Sequence, residues 1–176
     1  MGKPTGSPHN SKEKALLELA QQIDANQNWW RFPEELPIQG FLGTSSIVIV
    51  GDQPSTSSWP ETHPNRRVFY DTLRKVKVAD AHLTDLYKKR GRSSALREGL
   101  PKDFEEHLSF FRREIQILQP ERVVAVGRLA YELLFQHMKE LRPILGLMWH
   151  FSFVVRAGLH HKYEANMRRA IWKMQI

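Results

Sequence analysis

Ile47-Val48-Ile49-Val50 is an unbroken run of β-branched residues that stops abruptly in Gly51-Asp52-Gln53-Pro54-Ser55. A continuous apolar run of this length, bounded by turn residues, reads as a strand buried on both faces, as in a parallel sheet covered by helices. Ligands of such sheets bind in the crevice beyond the carboxyl ends of the strands. Asp52 and Gln53 are therefore expected at that edge, on a turn stiffened by Pro54.

The same pattern recurs in Arg122-Val123-Val124-Ala125-Val126-Gly127. Ala81 to Leu86 and His150 to Arg156 complete a set of four expected strands. Between them apolar residues recur at helical spacing, which predicts helices over 12–27, 66–77, about 102–118, 129–139 and 163–174. Pro101 suits the start of the third, whose buried stripe is Phe104, Leu108, Phe111, Ile115 and Leu118. Strands alternating with helices predict a single-domain three-layer α/β/α sandwich around a mainly parallel four-stranded sheet, spanning residues 12–176. Residues 1–11, rich in Gly, Pro and Ser, are expected to form a disordered tail.

Charge and composition narrow the function. Lys and Arg number 26 against 19 Asp and Glu, a net charge of +7 that points to a polyanionic partner, nucleic acid first among them. There are no cysteines, which removes disulfides, thiolate nucleophiles, Cys-ligated zinc and iron–sulfur clusters, and fits a reducing cytoplasm. No apolar run approaches the roughly 20 residues that span a bilayer. The His and acid spacings match no recognised zinc pattern, so no metal or other cofactor is expected. A Gly-x-x-x-x-Gly-Lys loop and a Gly-x-Gly-x-x-Gly loop are both lacking, which leaves nucleotide hydrolysis and dinucleotide redox chemistry unsupported. A cytoplasmic monomer is expected.

Three expected strand ends carry polar clusters: Asp52-Gln53, Thr84-Asp85 and His160-His161. Each alone reads equally as a helix cap or a surface group. A parallel sheet gathers all three on one side, and their convergence makes that crevice the candidate site. The loop Lys88-Lys89-Arg90-Gly91-Arg92 adds a basic flank, which is on its own also an ordinary solvated loop. Phe69, between Val68 and Leu73, fits a helix face in the core as well as a ligand-stacking position.

In order and spacing these motifs resemble the uracil-DNA glycosylase superfamily over roughly residues 44–172. Its members carry a strand that ends in a Gly-acid or Gly-Gln motif followed by Pro. A downstream Phe follows, then a second strand with a base-reading Asn and basic residues beyond it, and a late strand that delivers a His. The stretch from Phe111 to Leu134 is similar to the superfamily's long helix, Pro turn, buried strand and Gly-x-x-Ala helix start. The resemblance implies a hydrolytic DNA glycosylase that excises a damaged or deaminated base without a cofactor. Asp52 would then stabilise the sugar cation or position water, and His160 would stabilise the departing base. Gly51, Gln53 and Pro54 would border the base, Phe69 would stack on it and Asp85 would read its edge. Lys88, Arg90, Arg92, His161 and Lys162 would face DNA phosphates.

Asp85 stands where the superfamily has Asn. An amide both donates and accepts, whereas an ionised carboxylate only accepts. Either burial keeps Asp85 protonated, or the site reads another base, or it reads none. His160 also lacks the Pro that follows the superfamily's His. A non-catalytic module that holds nucleic acid or a nucleobase on the same fold therefore stays open as the alternative. So does a different doubly wound enzyme acting on a phosphate ester.

Overall fold

A computed structural model describes residues 8–172. Four strands, β1 (Ile47–Gly51), β2 (His82–Asp85), β3 (Arg122–Val126) and β4 (Leu145–Met148), form one sheet in the order β2-β1-β3-β4. All three pairings are parallel, with Gly51 opposite Asp85, Val50 opposite Ala125 and Val126 opposite Met148. Seven α-helices accompany them among the described residues: α1 (Pro8–Asp24), α2 (Pro64–Val76), α3 (Ser93–Glu98), α4 (Phe104–Leu118), α5 (Arg128–His137), α6 (Phe151–Arg156) and α7 (His160–Trp172). The three-layer α/β/α sandwich with a four-stranded parallel sheet is thus the observed architecture.

Side-chain alternation along the strands builds the two halves of the core. Val48, Val50, Val123 and Ala125 pack beneath α1, α4 and α5. Ile49, Leu83, Val124 and Val126 pack beneath α2 and α7. The chain leaves β1 toward β2 in one direction and leaves β3 toward β4 in the other. Two right-handed crossovers running oppositely must place their helices on opposite faces, which is where α2 and α5 lie. The strand order reverses between β1 and β3, so a crevice opens there at the carboxyl edge.

β1, β2, β3 and the helices expected over 66–77, 102–118 and 129–139 lie close to their expected bounds, but the first helix is displaced toward the N-terminus and the last third of the chain differs. Residues 150–156, expected as a strand, form α6 instead, and the fourth strand is Leu145–Met148. Within α6 only Val154 is fully buried, as on a short surface helix. His150 starts it by accepting the Ser152 backbone N–H on Nδ1. The edge strand β4 is short and carries a half-exposed Leu147 and a glycine. That glycine is required: a side chain at Gly146 would collide with the Arg122 guanidinium and the Ala170 carbonyl. Arg122 Nε donates to that same carbonyl at 2.7 Å and Nη1 to the Ile144 carbonyl at 3.2 Å, tying α7 to the sheet edge. At the N-terminus, residues 8–11, expected in the tail, open α1; the rest of the expected tail lies outside the described residues. Among the described residues no helix is long and apolar enough to cross a membrane.

Candidate active site

The β1–β2 pairing continues past the strand ends. Leu86 N donates to Gly51 O and Tyr87 N to Asp52 O, each at 3.0 Å. These bonds lock Asp52 and Asp85 side by side at the carboxyl edge. Both side chains are buried, and each has an oxygen, Oδ2, with no hydrogen-bond partner among the described residues. A buried polar atom left unpartnered is costly and marks a functional candidate.

Both carboxyls border a cavity of about 170 Å³ at this edge. An apolar cavity of about 150 Å³ takes up one benzene, so this one has room for a single flat heterocycle. Gly51, Gln53 and Pro54 form one side. Phe69 and Tyr70 of α2, Phe151 of α6, and Trp30, Phe32 and Trp59 from the loops form an aromatic wall around it. The rings support one another. Phe69 and Phe151 have centroids 5.3 Å apart, Trp59 stands edge-on to Phe151 at 5.4 Å, and Trp59 stacks on His63 at 4.7 Å. The segment carrying Trp30 is held over the cavity by its own N–H, which donates to Lys88 O at 2.8 Å. The Gln53 side-chain nitrogen is a third buried polar atom of the site without a partner among the described residues, and Gly91 leaves room for that amide.

His150 completes the lining. Gly127, at φ +87°, ends β3 in a conformation that favours glycine, and a side chain there would sit 3.0 Å from His150 Cβ. The imidazole can therefore close onto the end of β3. Its Nδ1 accepts from the Ser152 backbone N–H at 3.2 Å and lies 2.7 Å from Ser152 Oγ. An accepting Nδ1 leaves the proton of the neutral ring on Nε2. Burial pushes the His150 pKa below the usual histidine range, while the nearby Asp52 charge pulls it up. His150 is thus a neutral imidazole with a fixed tautomer.

Burial and the neighbouring Asp52 charge push Asp85 up to about 8, with Lys88 pulling it down. Burial and the adjacent carboxyl thus favour the protonated form of Asp85. Lys88 acts on it through space only, because its three donors are engaged elsewhere. Nζ donates to Thr84 Oγ1 at 2.8 Å, to the Asp85 backbone carbonyl at 2.6 Å and to Glu114 Oε1 at 2.7 Å. Glu114 Oε2 lies 3.1 Å from His82 Nε2. This charge cluster sits on the α4 side of β2, at 1% exposure or less, and pins the end of β2 from behind.

The residues expected at the site divide clearly. Gly51, Asp52, Gln53, Pro54, Phe69, Asp85 and Arg90 border the cavity. Arg90 does so as part of the wall: it donates to Ser55 O at 3.0 Å and Ser58 Oγ at 2.9 Å and lies 5.2 Å over the Trp30 ring. Lys88 is fully buried and faces no solvent phosphate. Arg92 is exposed. His160, His161 and Lys162, expected beyond a strand, instead form the exposed first turn of α7 and lie outside the cavity. The histidine at the sheet edge is His150, after β4. No sequence pattern marks it, because His150 starts α6 through Nδ1 and histidine is not among the residues favoured at helix starts.

Among the described residues no group of three or more His, Cys, Asp or Glu side chains could hold a metal ion. No family model matches the chain. No curated protein matches it.

Proposed function

We propose that the chain is a cytoplasmic, monofunctional DNA glycosylase that takes a flipped-out damaged or deaminated base into the sheet-edge cavity and hydrolyses its N-glycosidic bond. The supporting observation is a single-ring aromatic cavity where two buried carboxyls and one tautomer-fixed imidazole meet. Chemistry on a base inside a duplex requires that the base leave the stack, and flipped bases are held between aromatic faces. Phe69, Phe151 and Trp59 supply such faces.

Bond cleavage builds positive charge on the sugar and negative charge on the base. Asp52 meets the first and orients a water. His150, with its proton on Nε2, is the donor suited to the second, in the role the resemblance had given to His160. Asp85 reads the base edge. Because a protonated carboxyl offers one donor and one acceptor, it presents what an Asn amide presents. The net charge of +7 draws the DNA in.

Base release from labelled oligonucleotides that carry uracil, hypoxanthine or xanthine tests this reading, with Asp52→Asn as control. Release that the substitution lowers by orders of magnitude supports it. DNA binding without release favours instead the non-catalytic module. The internal engagement of Lys88 and Arg90 speaks for that second reading, since it removes two cations from the expected phosphate contacts.

A further inference from the structure

Asp85 stands at the end of β2 in a setting that disfavours its charge. It is buried beside a second buried carboxyl, that of Asp52, and its Oδ2 has no partner among the described residues. The one ammonium close behind it, Lys88, gives its donors to a backbone carbonyl, a hydroxyl and Glu114, and none to the Asp85 carboxyl. The other groups around it are Arg90 from the following loop, Glu114 on α4, Tyr70 and Arg66 on α2 and His150 ahead of α6. No salt bridge from any of these cations reaches it among the described residues. Two buried carboxyls that share a site cannot both ionise easily. Where environments push two such groups apart, one serves as acid and the other as anion.

Resting on the base-excision reading, we propose that Asp85 enters the reaction as a carboxylic acid and gives its proton to an acceptor atom of the excised base, so that the base departs neutral. The electron pair of the C1′–N bond moves onto the base as that bond breaks. The Asp85 proton passes to an oxo oxygen or ring nitrogen of the base and leaves a carboxylate. Water bonds to C1′, its released proton passes to Asp52 or solvent, and solvent reprotonates Asp85 after product leaves. The sum is addition of water across the C1′–N bond. The same burial, with the Asp52 charge beside it, pushes the Asp85 pKa up to about 8, in keeping with the assignment. Bases whose anions leave poorly gain most, so the substrate class extends beyond bases that are good anionic leaving groups.

The test is single-turnover release of uracil and of 5-fluorouracil, whose anion leaves more readily, by wild type and Asp85→Asn. The wild-type rate is expected to fall about tenfold per pH unit above the acid's pKa. Asp85→Asn is expected to lack that limb and to be slower by about 10²–10⁴-fold on uracil. Compared below the limb, its loss on 5-fluorouracil is expected to be smaller. Equal losses on the two bases, or the same alkaline fall in the variant, overturn the acid role while leaving base excision standing. A wild-type profile without an alkaline fall overturns it even where the variant does not fold. No release of either base by wild type takes down the excision reading and the acid role together.

Discussion

The carboxyl of Asp85 occupies the space in which a side chain at Gly51 would stand. The two residues are register partners across β1 and β2, and a Cβ on Gly51 would meet Asp85 Oδ1 well inside van der Waals contact. The glycine that ends β1 therefore has a second task besides ending a strand. It makes the recess that holds an acid against the cavity floor. A Gly51→Ala substitution must push Asp85 out of that recess. Misplacing a reacting group by about 1 Å costs on the order of 10²-fold in rate. Base release by Gly51→Ala is expected to fall by about that factor while circular dichroism stays native. Unchanged release would mean that the recess is irrelevant to the chemistry.

His150 and His160 make opposite predictions. His150 faces the cavity with a fixed tautomer, whereas His160 and His161 stand exposed at the start of α7. Removing one donor that stabilises developing negative charge costs about 10²–10³ in kcat. His150→Ala is expected to lose release by that factor. The double variant His160→Ala/His161→Ala is expected to keep it. Steady-state assays on one oligonucleotide decide the pair, and the reverse result would return the role to α7.

These placements show where sequence was sufficient. β1 and β3 are legible because both faces of each strand are buried, so their apolar runs are unbroken. Asp52, Gln53 and Pro54 follow from β1 by chain adjacency alone. β4 carries no such signal, because an edge strand with a glycine and a half-exposed leucine has no clear period. The stronger apolar run just after it, Phe151 to Val155, belongs to a helix. Lys88 could not be read as buried from its neighbours, since its partner lies 26 residues away on α4. One clue existed: Glu114 falls on the helix stripe of Phe111 and Leu118, and an acid there calls for a buried cation.

That buried pair sets Lys88 apart from Arg92. Glu114 is fully buried, and its carboxyl is held below its usual pKa against the opposing cost of burial, chiefly by the Lys88 charge. Lys88→Met strands that carboxylate, and breaking a buried pair from one side typically costs about 3–5 kcal/mol. Adding Glu114→Gln is expected to recover most of the loss, since no charge then remains uncompensated. Arg92→Ala is expected to leave stability within about 0.5 kcal/mol. It is expected to lower the slope of log binding constant against log salt by about 1, the loss of one phosphate contact. Urea unfolding and salt-dependent DNA binding separate the two residues. A changed salt slope with unchanged stability in Lys88→Met would contradict the buried assignment.

The raised pKa of Asp85 carries a stability consequence of fixed sign. The unfolded chain ionises this carboxyl near 3.8, and the folded chain near 8. Between those values the folded state binds more protons than the unfolded state, so stability falls as pH rises across the window. The contribution is fully present below the unfolded value, and the loss levels off above the folded one. Asp85→Asn removes the titration while keeping the shape that fits the Gly51 recess. The variant is therefore expected to match wild type near pH 4 and to exceed it progressively toward pH 8. Such a gain in stability at the expense of turnover is the usual trade at a functional site. Chemical denaturation of both proteins at several pH values measures it directly. Parallel stability curves would show that Asp85 ionises normally in the fold, and with that the acid at the cavity floor would be gone.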